Sequence, residues 1–472
     1  MEYLRKKVLS QYPDIEQVTE IYHEMMSTQI NGDDGDTGDS DDIIGDDKYR
    51  PLLLLLAVLY KVQERNDDFF KHGGTSHEFD QTRDSLELAG FFWHQQHHMG
   101  KILRESINTA KTREEVERLV EKNRVKMMET LELEDVHVSV SELHDDDVQD
   151  KRLHHHTPDF VIHTDHQHRA VVFTILGTRI FPRPCPRDII MDCAAKCQPF
   201  LDGEAHGGMV TGHQNLVKTA LPIIHHRLQQ HPECSLLVVG YSLGAALAQL
   251  FMLDLEHGPL RSQLPENTTA RAILFGCPPV YSGSLQSLDN VLMISNHNDG
   301  VTGASLKCLH DVMFKTKAIH KLNIQRRTLL KMALNINNTE LSEGGLENIL
   351  SEDVKSPTKS SSSSIMKKTK KTVSKMLNGA TQDVWNKVME TSELCSKSCH
   401  PQLGHVSNCL VVIKKPKNKG ELLRISQFSG SDNISQFSRQ IRFKYGMMDH
   451  HMPWSYNSIF TGTVLKHLLQ GY

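Results

Sequence analysis

Short apolar runs alternate with helical patterns after the first third of the chain. Five runs rich in β-branched and apolar residues follow Pro158, and they are AVVFTIL, SLLVVG, RAILFG, NVLMIS and CLVVIK. Strands that are apolar throughout, separated by helices, are typical of a mostly parallel sheet covered on both faces. The pattern therefore predicts an α/β fold with a sheet flanked by helices. The segment VIHTDHQHRAVVF predicts a hairpin that leads into this sheet.

This alternation divides the chain into four parts. Residues 1–135 are predicted to form a helical N-terminal region, whose clearest helix opens with a capping box at TREE. Residues 136–303 and 403–472 are predicted to be two parts of one core. Residues 304–402 interrupt the alternation between them, and we interpret them as a regulatory or linker insertion.

Two segments have compositions that do not favour folding. Residues 31–48 are acidic and almost without apolar side chains, and residues 355–375 are rich in serine and lysine and contain no acidic residue. Neither segment has enough apolar surface to offset the entropy of ordering, so both are predicted to be disordered. The lysines would attract anionic lipid at about 1 kcal/mol each when close to a membrane surface. A plain solvated linker is the alternative.

Composition excludes several classes of protein. The 472 residues carry a formal net charge of −5, which does not favour nucleic-acid binding. The longest apolar run, PLLLLLAVLY, is about half of the ~20 residues that a bilayer span needs. The nine cysteines are an odd number spread thinly, which favours a reducing compartment. We therefore expect a cytoplasmic protein without a secretory leader or membrane span, which meets a membrane or lipid droplet only peripherally.

The stretch VVGYSLGAALA carries the most specific candidate chemistry. A predicted strand runs into the turn Gly240-Tyr241-Ser242-Leu243-Gly244, and a predicted helix follows it. This is the strand–turn–helix context of a nucleophile elbow, in which a serine on a sharp turn is exposed at the top of a sheet. The helix N-terminus would favour an oxyanion beside that serine. A Gly-Ser-Gly turn without chemistry is the alternative.

A serine nucleophile needs a histidine base and an acid that orients the base. In this kind of fold the acid follows the serine along the chain, and the histidine follows the acid. Asp299 directly follows the predicted strand NVLMIS and is the candidate acid, whereas Asp289 precedes that strand. A turn-forming Asn-Asp-Gly would also place an aspartate there. The segment YGMMDHHMPWSY offers His450 and His451 as candidate bases.

Six sequence blocks resemble, in order, blocks of the class 3 lipase family. They are PDFVIHTDHQHRAVVFTILGT, AHGGMV, GYSLGAALA, FGCPPV, NHNDGV and DHHMPWSY, and they are most similar to the catalytic domain of sn-1-specific diacylglycerol lipases. The resemblance covers residues 158–303 and 403–465. It implies an α/β-hydrolase fold and hydrolysis of acylglycerol esters, with no metal or organic cofactor.

The resemblance also implies a catalytic triad. Ser242 would be the nucleophile and Asp299 the orienting acid. His451 would be the base, because it keeps the family's spacing to the proline and tyrosine of MPWSY, and His450 is the alternative.

The oxyanion hole implied by the resemblance consists of two backbone N–H groups. They belong to Thr178, whose hydroxyl is a further donor, and to Leu243. Leu176 stands where the family has an arginine, which changes the side-chain contacts at that position but leaves the backbone donor in place.

The substrate class stays open among several alternatives. An acylglycerol, either diacylglycerol or triacylglycerol, is the expected substrate, and a phospholipase A1 or a general carboxylesterase would use the same triad. A catalytically silent, lipase-like scaffold is the alternative outside catalysis. Residues 179–200, which include Ile189, Ile190 and Met191, are predicted to form an apolar lid, and a proline-rich surface loop with a core helix is the competing interpretation.

Overall fold

One large sheet with helices on both faces carries the described part of the chain. The computed structural model describes residues 79–107, 110, 112–144, 157–179, 185–285, 287–297, 299–305, 307–308, 401–414, 424–429, 434 and 447–460, all within one compact unit. Its helices are α1 (Phe79–Ile107), α2 (Arg113–Leu131), α3 (Pro186–Cys193), α4 (Gly207–Gln230), α5 (Leu243–His257), α6 (Met447–His451) and α7 (Pro453–Phe460). Its strands are β1 (Glu134–Ser139), β2 (Phe160–Asp165), β3 (Ala170–Ile175), β4 (Cys197–Phe200), β5 (Gly203–His206), β6 (Ser235–Tyr241), β7 (Ala270–Phe275), β8 (Leu288–Asn296), β9 (Ser407–Lys414) and β10 (Arg424–Ser429).

The strand order of the large sheet is β1-β2-β3-β6-β7-β8-β9-β10. The five central strands β3, β6, β7, β8 and β9 are parallel to one another, and β1, β2 and β10 add antiparallel pairs at the two sides. All five predicted strands and the predicted β2–β3 hairpin are confirmed. A mostly parallel sheet of this order, with helices between its strands, has the α/β-hydrolase fold.

Each face of the sheet buries its own apolar cluster. On one face α4 and α5 cover the sheet, and Leu247 and Phe251 of α5 are fully buried in the same cluster as Phe173 of β3. On the other face α1 meets α7, and Trp93 joins Phe460 in a second cluster. Burying a large apolar side chain stabilises a fold by about 1.5–3 kcal/mol. The two layers of helices therefore hold the sheet between them.

The helix predicted from the capping box is α2. Thr112 is its N-cap, and its hydroxyl accepts a hydrogen bond from the backbone N–H of Glu115 at 3.2 Å, as predicted. The acidic segment at 31–48, the apolar run PLLLLLAVLY and the Ser/Lys-rich segment at 355–375 lie outside the described residues. None of the helices in the described ranges combines the length and the apolar character that a bilayer span requires.

The predicted lid segment contains α3, whose inner face belongs to the core. Ile190 and Met191 are buried, and Met191 lies in the same cluster as the residues of α4. Ile189 is exposed on the outer face of the helix. This arrangement favours the core-helix interpretation for residues 186–193, because Ile190 and Met191 are core side chains. Ile180 and Phe181, which the lid prediction also includes, lie outside the described residues.

Candidate active site

Ser242 lies on a strained turn between β6 and α5. Its backbone has φ 55° and ψ −120°, a conformation that residues with side chains rarely adopt. The turn is tight because the helix backbone passes close to the neighbouring strand. A Cβ at Gly244 would lie 2.1 Å from the carbonyl oxygen of Ile175 in β3, and a Cβ at Gly240 would lie 2.6 Å from the carbonyl oxygen of Gly244. Glycine at both positions therefore lets the serine stand at the end of the strand.

The structure brings Ser242, His451 and Asp299 together in a continuous chain of contacts. Nε2 of His451 lies 2.8 Å from Oγ of Ser242. Nδ1 of the same ring lies 2.9 Å from Oδ2 and 3.0 Å from Oδ1 of Asp299. One imidazole thus contacts the hydroxyl with one nitrogen and the carboxylate with the other. This is the arrangement in which a histidine accepts the serine proton while a carboxylate holds the imidazole.

Asp299 is buried and has further donors besides the histidine. The hydroxyl of Tyr456 donates to its Oδ2 at 2.7 Å, and the backbone N–H of Val301 donates to its Oδ1 at 2.9 Å. Hydrogen bonds of this kind hold a buried carboxylate in one orientation. Asp289, the less favoured candidate acid, instead accepts a hydrogen bond from Asn408 at the start of β9.

The loop that carries the histidines is held by side chains from the ends of two strands. Tyr241, the last residue of β6, donates its hydroxyl to the carbonyl oxygen of His451, and its ring stacks on the imidazole at a centroid distance of 5.2 Å. Asn296, the last residue of β8, donates to the carbonyl oxygen of His450 at 2.8 Å. The ring of His450 lies 4.7 Å from the ring of His297, and His450 is not among the residues that line the cavity beside Ser242.

Thr178 and Leu243, the predicted oxyanion donors, line the same cavity as Ser242. Leu243 is the first residue of α5, so its N–H is one of the groups that has no partner within the helix. The hydroxyl of Thr178 donates to Oδ2 of Asp192 in α3 at 2.7 Å. Asp192 therefore fixes the orientation of the threonine side chain beside the serine.

Burial sets the charge state of the groups around the cavity. It raises the pKa of Asp192 to about 7, although the hydrogen bond from Thr178 opposes this shift. It lowers the pKa of His97 and of His206 to about 4, so both imidazoles are neutral at pH 7. It also raises the pKa of Tyr241, an effect to which the nearby Asp299 adds, and the phenol stays protonated as a donor.

The cavity beside Ser242 has a volume of about 600 Å³ and a predominantly apolar lining. Met209, Val280 and Val301 are among its apolar residues. One face of α1 adds two cations to the lining, Lys101 and Arg104. The apolar residues of this lining that are also exposed at the surface are Met448 (46%) and Trp454 (58%).

Three residues of the site carry little signal in the sequence. Tyr241 stands inside the elbow motif, and the sequence shows an aromatic side chain there but not its contact with the histidine. Asn296 ends a predicted strand, which is the usual place for site residues in such sheets. Asp192 lies in the proline-rich segment predicted as a lid, and no local pattern links it to Thr178.

Comparison with known proteins gives matches to lipases only for parts of the chain. Residues 182–307, which contain Ser242 and Asp299, match the family model described as lipase (class 3). Two proteins named lipase, from Rhizopus niveus and Rhizopus oryzae, are 28% identical over 99 residues, which span 21% of this chain and 24% of each relative. The solved structure of a lipase from Rhizopus microsporus var. chinensis is 16% identical, with a TM-score of 0.31, over 49% of this chain and 70% of that chain. Residues 182–307 therefore resemble the class 3 lipases, and the matched segment spans about a quarter of the length of the two fungal relatives.

Proposed function

We propose that this protein is a serine hydrolase that cleaves carboxyl esters of acylglycerols through an acyl-serine intermediate. The observation that carries the proposal is the chain of contacts from Ser242 through His451 to Asp299 at the end of an elbow turn. The class 3 lipase match over residues 182–307 supports the same reaction class. The proposed oxyanion donors are the backbone N–H groups of Thr178 and Leu243.

The proposed reaction has two halves that use the same histidine. Oγ of Ser242 attacks the ester carbonyl carbon while Nε2 of His451 accepts the hydroxyl proton. The two backbone donors stabilise the oxyanion, and His451 then gives its proton to the departing alcohol. In the second half, water loses a proton to His451 and attacks the acyl-serine carbonyl. The fatty acid leaves and the serine hydroxyl is restored.

The apolar cavity supports a lipid ester as the substrate. A predominantly apolar lining of about 600 Å³ matches an acyl chain better than a small polar ester. Within the acylglycerols we favour diacylglycerol, because the sequence blocks around the triad resemble diacylglycerol lipases. The exposed Met448 and Trp454 beside the cavity favour approach to a lipid surface, which a cytoplasmic protein would meet peripherally.

A second candidate function is that of a phospholipase A1. Lys101 and Arg104 of α1 line the same cavity as Ser242, and a cationic wall attracts a phosphate-bearing headgroup. The triad itself does not choose the leaving group. The two candidates therefore differ in the lipid that is cleaved, and not in the residues that cleave it.

A fluorophosphonate probe and a lipid panel test the proposal. We expect the full chain to label at Ser242 and to cleave a diacylglycerol at a rate well above that of a phosphatidylcholine. Ser242→Ala should lose the label and nearly all hydrolysis while its urea unfolding stays that of the wild type. A folded wild-type protein that neither labels nor cleaves any member of the panel would favour the silent-scaffold alternative.

The two neighbouring histidines supply a matched pair of variants. His451→Ala should lose several orders of magnitude in hydrolysis, because the serine then has no base. His450→Ala should retain most of the activity, since its ring lies against His297 and the contact with the serine hydroxyl belongs to His451. Equal losses in the two variants would contradict the proposed assignment of the base.

A further inference from the structure

Two histidines and two glutamates from three separate segments lie near one another at the end of the sheet where β3 and β6 begin. Glu134 is the first residue of β1, and His166 lies in the turn between β2 and β3. His231 directly follows α4, and Glu233 lies two residues before the start of β6. Ser242 stands at the opposite end of β6, so this cluster is separate from the candidate active site.

The polar atoms of the cluster lie close together. Nε2 of His166 is 3.2 Å from Oε2 of Glu134, and Nδ1 of His231 is 3.7 Å from Oε1 of Glu233. The ligand atoms of His166, His231 and Glu233 all lie within 4.8 Å of one another. The two imidazole rings are 5.3 Å apart at an angle of 75°.

These separations are close to those of a tetrahedral metal site. Zinc binds imidazole nitrogen and carboxylate oxygen at about 2.0–2.2 Å, which puts neighbouring ligand atoms about 3.4 Å apart. Small side-chain rotations would bring the ligand atoms of His166, His231 and Glu233 to that spacing, and Glu134 lies against His166 as the fourth group. The backbone around them is already held, because β1, β2 and β3 are paired in one sheet and α4 packs on that sheet.

We propose that Glu134, His166, His231 and Glu233 form a site for Zn²⁺. Two carboxylates favour a divalent cation, and two imidazoles favour zinc over calcium or magnesium, which bind oxygen ligands. The bound ion would join the start of β1, the β2–β3 turn and the connection from α4 to β6. It would therefore stabilise the fold at this end of the strands and take no part in ester cleavage.

The charged and titratable neighbours of the cluster have other partners. His168 contacts Asp165 at 2.9 Å, and Arg227 contacts Asp135 at 3.1 Å. Sγ of Cys234 lies 3.9 Å from Oε1 of Glu233. The ligands are spread over about 100 positions of the sequence, which explains why no motif predicts them and why the sequence predicts no metal.

Zinc titration of the metal-free full-length protein tests the proposal. We expect one tight site by calorimetry and a rise in the unfolding temperature on addition of zinc, since a ligand that binds only the folded state stabilises it. His166→Ala and His231→Ala should each remove that site and the temperature rise. Glu233→Gln, which keeps the shape of the side chain and removes its charge, should weaken binding at least tenfold.

His226→Ala is the matched control, because His226 is an exposed histidine near the C-terminal end of α4, the helix that ends directly before His231. It should bind zinc and gain thermal stability as the wild type does. The chain has 28 histidines, so weaker sites elsewhere are expected in every variant. The proposal is overturned if the wild type has no site tighter than those left in His166→Ala, or if His226→Ala loses the tight site equally.

Discussion

The hydroxyl of Tyr241 offers a sharp test of how the base is positioned. It donates to the carbonyl oxygen of His451, while the ring of the same tyrosine stacks on the imidazole. Tyr241→Phe removes the hydrogen bond and keeps the ring. Any change in kcat/KM then measures the contribution of the hydrogen bond to the backbone of His451, because the packing of the ring is kept.

The size of the effect follows from the burial of that carbonyl group. A buried acceptor left without its donor costs about 1–3 kcal/mol. If the loop moves so that the carbonyl oxygen of His451 finds another donor, the imidazole moves with it. We then expect the activation free energy of ester cleavage to rise by the same amount, about 1–3 kcal/mol. At about 1.4 kcal/mol for each factor of ten, kcat/KM should fall about 5- to 160-fold. Free energy of unfolding should fall by a similar ~1–3 kcal/mol.

The assay compares the rate of fluorophosphonate labelling with kcat/KM for a soluble p-nitrophenyl ester. Tyr281→Phe is the matched control, because Tyr281 is also fully buried and its hydroxyl pairs with Asp202, which does not line the catalytic cavity. The control should lose stability and keep its labelling rate. Urea unfolding of both variants separates the two effects.

Asn296→Ala extends the test, since its amide donates to the next carbonyl along the loop, that of His450. Both changes release the same loop, so the double variant should lose less activity than the product of the two single losses. Labelling of Tyr241→Phe at the wild-type rate would refute the reasoning. Independent, multiplicative losses would show that the two contacts do not act on one loop position.

Three further predictions follow from individual contacts. Because the pKa of Asp192 is raised from 3.8 to about 7, the native state keeps a proton that the unfolded chain releases, so the stability that this carboxyl contributes falls as pH rises from about 4 to 7. The unfolding temperature of Asp192→Asn, measured relative to the wild type, should therefore rise over that pH range. Gly244→Ala should cost about 1–3 kcal/mol in urea unfolding and slow labelling, because its Cβ would meet the carbonyl oxygen of Ile175. Trp454→Ser should weaken co-sedimentation with lipid vesicles and leave soluble-ester hydrolysis nearly unchanged, and equal losses in both would contradict a surface role.

The parts of the fold that the sequence predicts are those with local causes. The elbow can be predicted from the sequence because the strand, the turn and the helix are contiguous, and because the close approach of β3 to Gly244 requires glycine there. The central strands are readable because both faces are covered, which makes each run apolar throughout. Asp299 follows from the same logic, since acids of such sites stand just after a strand end.

The resemblance assigns the base to His451 from its spacing to the following proline and tyrosine, but the contacts that select this histidine join distant segments. His450 and His451 are neighbours in one short helix, where successive side chains point about 100° apart, so only one ring can face the serine. Which one does so depends on where Tyr241 and Asn296 hold the two carbonyl groups. The two donors precede the histidines by more than 150 residues, and no local pattern encodes that distance.

The packing of α1 has a consequence for how the N-terminal region relates to the candidate site. Its periodicity predicts a helix, but the residues that it would meet lie far along the chain. In the structure Trp93 contacts three rings behind the triad, those of Tyr241, Phe275 and Tyr456, at centroid distances of 5.0–5.4 Å. The hydroxyl of Tyr241 donates to the carbonyl oxygen of His451, and the hydroxyl of Tyr456 donates to the carboxylate of Asp299. Replacing Trp93 with a small residue would leave a cavity beside both tyrosines and loosen them together. The packing of α1 therefore helps to hold the base and the acid in place.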